Sequence, residues 1–135
     1  MTVSINGVAQ VSHIIWKDAS QTALNDTNRV DNLAFTELDL TSFTSPRAKF
    51  AIVRMEMEAD VIGGGNDSEI RIKKNGTTPA HYPRFVLDVG GTTAGVDKYT
   101  VAIVGLDVNR KIAYAIDVGA GWTVDSAIRV LGYVE

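Results

Sequence analysis

The sequence predicts an all-β protein, an antiparallel β-sandwich of jelly-roll-like type with about eight strands and an N-terminal arm. Three observations support this prediction. Apolar and polar residues alternate with a two-residue period, and glycine-rich turns separate the alternating runs. No helical period is long enough to supply the crossover that a parallel sheet requires. At 135 residues the chain has the size of one domain.

The N-terminal residues 1–32 show the weakest strand pattern. Short apolar pieces occur around Val3 and Ile5 and again at residues 14–16, and a polar, loop-like segment runs from Lys17 to Asn32. One interpretation is one or two further strands joined by a long loop. The other is an arm that docks on a neighbouring molecule, because long loops in compact domains are often functional. We therefore divide the chain into an arm, residues 1–32, and a sandwich domain, residues 33–135.

The predicted strands of the sandwich follow in order. The clearest is residues 53–61, where apolar side chains alternate with charged ones and so give one dry and one wet face. Comparable runs lie at residues 35–40, 69–73, 85–87, 99–103, 112–118 and 128–134. In the last run, Leu131 and Tyr133 share a face with Arg129. We expect a neighbouring subunit or the arm to cover that face, since an outer face is usually polar.

Composition excludes several classes of protein. The net charge is −3 and the basic residues are scattered, except for the short cluster of Arg71, Lys73 and Lys74. Nucleic acids and anionic membranes are therefore not expected partners. The absence of cysteine excludes disulfides and thiolate zinc sites. We expect synthesis in a cytoplasm without export, because the first residues lack a signal-peptide pattern and no apolar run would span a bilayer.

We expect no catalytic residues, no cofactor and no metal, and hence no enzyme. His13 and His81 are far apart in sequence, without the oriented carboxylate that a histidine relay needs. Glu56 and Glu58 could form a glycosidase pair only if they faced a cleft, and their charged row favours a solvated strand face. Residues 63–69 offer oxygen ligands for calcium, but a plain hairpin loop explains their glycines.

Aromatic residues near predicted strand ends are the best candidates for contacts with a partner or a ligand. They offer rigid apolar area with a polar handle, which suits a subunit interface or a glycan. The alternative is that they close the ends of the sandwich, and for Trp122 the two interpretations are evenly balanced. The full set of candidate contact residues is Trp16, Phe43, Tyr82, Trp122, Leu131 and Tyr133.

The part of the chain from about residue 34 to residue 135 resembles a family. The segments that carry the resemblance are residues 38–43, 48–54, 72–76, 104–107, 110–114 and 128–133, in that order. They are similar to small β-sandwich virion proteins of tailed bacteriophages and prophages. The resemblance implies a structural component of a particle, either a head-decoration protein or a tail-fibre module, and a homotrimer contacting capsid or tail proteins. A glycan-binding, receptor-recognition module is the alternative function.

Overall fold

The protein is described by a computed structural model that covers residues 2–5, 8–11 and 13–135, with residues 2–5 and 8–11 described in backbone only. The prediction of an all-β sandwich is confirmed: the described residues form strands and no helix. A small hairpin precedes two four-stranded antiparallel sheets. The strands are β1 Thr2–Ile5, β2 Val8–Val11, β3 Ile14–Arg29, β4 Leu33–Asp39, β5 Phe50–Val61, β6 Asp67–Lys74, β7 Arg84–Asp88, β8 Lys98–Gly105, β9 Lys111–Asp117 and β10 Thr123–Val134.

From β3 to β10, the first strand pairs with the last, the second with the second last, and so on towards the middle of the chain. The first sheet has the order β3-β10-β5-β8 and the second has the order β4-β9-β6-β7. Strand β3 therefore pairs with β10, β4 with β9, β5 with β8 and β6 with β7. A long hairpin folded over into two layers produces this order, consistent with the jelly-roll-like wrapping that the sequence predicts.

The core lies between the two sheets and follows the predicted alternation. In β5, Val53, Met55 and Met57 are fully buried in the core cluster, while the charged residues between them lie on the outer face of the first sheet. The second sheet contributes Ile70, Ile72, Ile112 and Ile116. Burial of aliphatic side chains of this size, at about 1.5–3 kcal/mol each, is the main stabilising term of the sandwich.

The prediction of a loop from Lys17 to Asn32 is wrong. Residues Ile14–Arg29 form a 16-residue strand, β3, at the edge of the first sheet. Its pairing with β10 is interrupted at three points, which breaks the two-residue period of its side chains. Only a few of its residues, among them Ala23 and Leu24, pack against the core. Because β3 is polar at most positions and lacks a regular alternation, its sequence looks like that of a loop.

Strand β10 contains an irregularity that overturns the expected facing of Tyr133. Val130 pairs with Val53, but Gly132 pairs with Ile52, so Leu131 is an extra residue in the ladder. The extra residue reverses the alternation: Tyr133 pairs with the buried Ala51 and packs against the core. The aromatic ring of Tyr133 is thus covered partly from inside the sandwich, and Lys17 of the arm lies over it, with its ammonium 5.8 Å from the ring centre.

The predicted boundary between the arm and the sandwich domain, at residue 32, lies between β3 and β4. Strand β3 belongs to the first sheet, whereas β1 and β2 pair with each other as a separate hairpin. Residues 1, 6, 7 and 12 of the arm lie outside the described residues. Docking of residues 1–32 on a neighbour stays a prediction. In the described part of the chain, no helix has the length and hydropathy needed to cross a membrane.

Candidate interaction surfaces

The six candidate contact residues lie in different settings. Trp16 is 63% exposed, whereas Trp122 is 1% exposed. The other four, Phe43, Tyr82, Leu131 and Tyr133, are half-buried. The structure brings Trp16 and Tyr133 together along one groove. Phe43, Tyr82, Trp122 and Leu131 do not line that groove.

Trp122 has a packing role at one end of the sandwich. Its indole lies in the core cluster, and its Nε1–H donates a hydrogen bond to the carbonyl oxygen of Gly65 at 3.0 Å. Gly65 and Gly119 lie close together beside the indole: a Cβ at Gly65 would lie 2.8 Å from the carbonyl carbon of Gly119. The indole is therefore not presented to a ligand, which favours the interpretation that Trp122 closes the sandwich.

Trp16 lines a surface groove of about 440 Å³ together with Ile15, Lys17 and Tyr133. The ammonium of Lys17 lies 5.8 Å from the ring centre of Tyr133. Beneath Trp16, Gly132 has no side chain; a Cβ there would lie 2.5 Å from the carbonyl oxygen of Ile15 and 3.3 Å from the indole. The glycine thus allows β3 and the Trp16 ring to lie close against β10.

An apolar row crosses the outer face of the first sheet at this level. Gly132 pairs with Trp16 on one side and with Ile52 on the other, and Ile52 pairs with Ile103. Ile52 is 4% exposed although it is not part of the core cluster, whereas Ile103 is 60% exposed. Both edges of the sheet therefore present large apolar side chains to solvent.

Strand β8 contributes apolar residues that the sequence did not single out as contacts. Tyr99, Val101 and Ile103, hereafter the β8 apolar row, are 60%, 52% and 60% exposed. The alternation predicts the strand but not which face is outermost. The apolar Ala102 and Val104 between them could have indicated this surface from the sequence. When a strand is apolar on both faces, one face packs on the core and the other is left for a partner.

A charged network occupies the middle of the outer face. The carboxylate of Glu56, a nearly buried group, accepts hydrogen bonds from Arg54 and from Arg129, the latter at 2.9 Å. The guanidinium of Arg54 also lies 4.7 Å from the ring centre of Tyr99. Two arginines neutralise Glu56, so it does not have the free carboxylate that a glycosidase pair with Glu58 would need.

An acidic cluster lies at the far end of the same face. Carboxylate oxygens of Glu58, Asp60 and Asp125 lie within 4.8 Å of one another, and Asp125 also accepts the backbone N–H of Asn28 at 2.7 Å. Desolvation raises the pKa of Glu58, as does the charge of Asp97. Desolvation and the charge of Asp125 raise the pKa of Asp60. These oxygens are of the type that hard cations such as Ca²⁺ prefer.

We expect D60N to stabilise the protein near neutral pH. Because the folded-state pKa of Asp60 is raised, the ionised carboxylate costs stability, and this cost grows as the pH rises through the raised pKa. The variant should therefore melt at a higher temperature than the wild type at pH 7. The difference should vanish below the ordinary aspartate pKa of about 3.9, where the carboxyl is neutral in both states.

Thermal unfolding at a series of pH values tests this expectation. D18N is the control, since Asp18 is an exposed residue of β3 outside the acidic cluster. A D60N gain that is equally large at pH 3 and pH 7, or a matching gain in D18N, would show that charge repulsion in the cluster is not its cause.

Around Tyr82 lies a second, separate surface. Its ring meets that of Phe35 edge to face, with centroids 5.5 Å apart, and its hydroxyl accepts a hydrogen bond from Arg71 at 3.3 Å. Arg71 also pairs with Asp117 at 2.9 Å, so this guanidinium is not free for an anionic ligand. A neighbouring groove of about 430 Å³ is lined by residues that include Lys74, Thr77, His81, Tyr82 and Ile103.

The histidines and the 63–69 segment form no common site. His81 lines the groove beside Tyr82, while the backbone of His13 pairs with that of Glu135. In residues 63–69, the Glu69 carboxylate lies 3.4 Å from Arg71 and 3.6 Å from Arg84, which compete with any cation for it. These two arginines weaken the case for calcium binding by this segment.

No protein-family model matches the chain, and a search of curated proteins finds no similar sequence. A function for this protein therefore has to be inferred from the side chains that the two sheets expose.

Proposed function

We propose that the protein is a non-enzymatic structural component that acts by binding copies of itself and neighbouring proteins of a particle. The setting that the resemblance implies is the virion of a tailed phage, as a capsid-decoration or tail-fibre part. The observation that carries the proposal is the presence of exposed apolar side chains on both edge strands of the first sheet, Trp16 on β3 and the β8 apolar row.

The arrangement of these residues matters more than their number. Single exposed apolar side chains are ordinary on soluble proteins, but contiguous ones mark interaction sites. Here the exposed Ile103 and Trp16 lie in register on either side of the buried Ile52. The exposed Ile14 and Phe50 lie next to them at the same end of the sheet. An aromatic anchor at the edge of an apolar row is the composition expected of an interface centre.

The charged groups support a structural role over a catalytic one. Glu56 is neutralised by two arginines, and Glu58 shares with it a small polar recess of about 170 Å³, where Asp97 and Asp125 are further acidic neighbours. Catalysis of acid–base type needs a carboxylate or imidazole poised against a substrate in a cleft. The two histidines lie on separate surfaces, so they do not meet this requirement together.

We expect the full-length chain to be a homo-oligomer at micromolar concentration. Size exclusion with light scattering measures the mass, to be compared with 14.5 kDa for one chain. The same measurement on W16S tests whether Trp16 takes part in the contact. The homotrimer implied by the resemblance is one of the masses that this experiment separates. A monomeric wild type across the micromolar range would overturn the proposal.

Glycan binding is the second candidate, and the groove beside Tyr82 is the observation that favours it. Tyr82, Thr77 and His81 combine an aromatic ring with hydroxyl and imidazole groups, as sugar sites do. The Asp and Asn residues expected to flank such a platform are not among the groove's described lining. A glycan array tests this function: a hit abolished by Y82A would support it, and an array without hits would remove it.

A further inference from the structure

We propose that β8 pairs with the β8 strand of a second copy in antiparallel orientation, so that two first sheets join into one eight-stranded sheet. This inference rests on the proposed self-assembly and names the strand that carries it. An antiparallel pair of identical strands has two-fold symmetry, so the expected assembly is a dimer.

Three of the four edges of the two four-stranded sheets carry features that hinder pairing with another strand. Strand β3 has three interruptions in its register with β10 and carries several charged side chains. Strand β4 has an interruption between Leu33 and Thr36, followed by Glu37 and Asp39. Strand β7 has only five residues and follows Pro83. Short length, irregular register, charge and proline are the usual means of keeping an edge unpaired.

Strand β8 has none of these features along most of its length. Its eight residues pair with β5 one for one, from Lys98 opposite Met57 to Gly105 opposite Phe50. Beyond Lys98 it contains no charged residue and no proline. Among the described residues, β8 has no strand on its other side. A long, regular and apolar edge of this kind is a template for another strand.

The sequence of the strand fits a second copy of itself. In an antiparallel pair centred on Val101, each Tyr99 faces Ile103 of the partner subunit, and the two Val101 side chains face each other. Aromatic and β-branched residues in direct opposition are favourable cross-strand pairs. The two copies of the β8 apolar row would thus lie side by side on the outer face of the joined sheet, which is the self-complementarity that a two-fold interface requires.

The charge that β8 itself carries does not oppose this pairing. In the register centred on Val101, Lys98 faces Val104 of the partner subunit, and the two lysines are about 20 Å apart, six residues along the strand. That separation is about two and a half times the screening length in physiological salt. The ammonium of Lys98 is also turned back to the carbonyl oxygen of Gly91 in its own chain.

The size of the contact suffices for a dimer. Eight residues extend about 27 Å, and the side wall of a two-layer sandwich is about 20 Å wide. The wall formed by β8 and the adjoining second sheet is thus on the order of 500 Å² per copy, or about 1,000 Å² in total. This value lies at the low end for specific interfaces, so we expect micromolar affinity.

The test uses charge at position 101, because the two-fold axis passes there. V101K places two ammonium groups opposite each other, and V101D places two carboxylates there, so each variant alone should dimerise at least about tenfold more weakly. An equimolar mixture of V101K and V101D places opposite charges together and should recover the dimer. V108K is the control, since Val108 is 98% exposed outside the strand.

Light scattering gives the masses, and circular dichroism checks that each variant is folded. Recovery of the dimer only in the mixture supports the pairing. A trimeric wild type, single variants that dimerise like the wild type, or a mixture that stays monomeric would each overturn it. In the first two cases the proposed function stands, and W16S then tests the other edge. A monomeric wild type overturns both.

Discussion

Replacement of Trp122 with alanine is expected to lower the free energy of unfolding by about 3–5 kcal/mol. The indole is 1% exposed and is among the largest fully buried side chains of the described residues. Its removal leaves a cavity that the surrounding strands cannot fill, and it also removes the donor to the Gly65 carbonyl oxygen. Because the total stability of a domain is about 5–15 kcal/mol, this loss is a large fraction of it, and W122A should melt at a much lower temperature than the wild type.

The second tryptophan provides the matched control. W16A makes the same chemical change at a residue that is 63% exposed, and we expect it to change the free energy of unfolding of the single chain much less. Urea unfolding, followed by circular dichroism, measures both variants. A W122A protein as stable as W16A would show that the indole does not close the sandwich.

The next largest effect is expected for G65A. A Cβ at Gly65 would lie 2.4 Å from the backbone nitrogen of Ala120, and that backbone cannot move without breaking local hydrogen bonds. The N–H of Gly65 donates to the carbonyl oxygen of Ala120 at 2.9 Å, and its own carbonyl accepts from Trp122. We therefore expect a loss of about 1–3 kcal/mol, measured by urea unfolding.

G64A is the control for this change, one residue earlier in the same loop. No atom lies within 4 Å of a Cβ placed at Gly64. The substitution should be neutral, or slightly stabilising through the unfolded chain. If G64A and G65A lost the same free energy, loop flexibility rather than the close approach of Gly65 to residues 119–120 would be the cause.

The sequence predicts the fold best where strands are regular and have one buried face. Strand β5 has such a face, and its alternation from Val53 to Ala59 appears unchanged in the structure. Strand β3 is missed because register interruptions destroy its period. Tyr133 is assigned to the wrong face because one extra residue, Leu131, reverses the alternation in β10. A bulge depends on the partner strand, so the sequence of one strand does not reveal it.

The candidate contact residues show a similar limit. Trp16 and Trp122 both lie near strand ends in sequence, yet one is exposed and the other buried. The difference arises from neighbours distant in the chain: Gly65 and Gly119 leave room for one indole, while Gly132 supports the other from beneath. The exposure of the β8 apolar row likewise follows from the position of β8 at a sheet edge, which only the strand order reveals.

The position of β10 also has a consequence for the time course of folding during synthesis. β10 lies between β3 and β5, which are hydrogen-bonded to it and not to each other. While residues 123–134 are still inside the ribosomal tunnel, β3 and β5 lack the strand that joins them, whereas β6 and β7 can already pair. The complete first sheet can therefore form only after residues 123–134 have left the tunnel, and we expect slow folding because its closing contacts span about 100 residues.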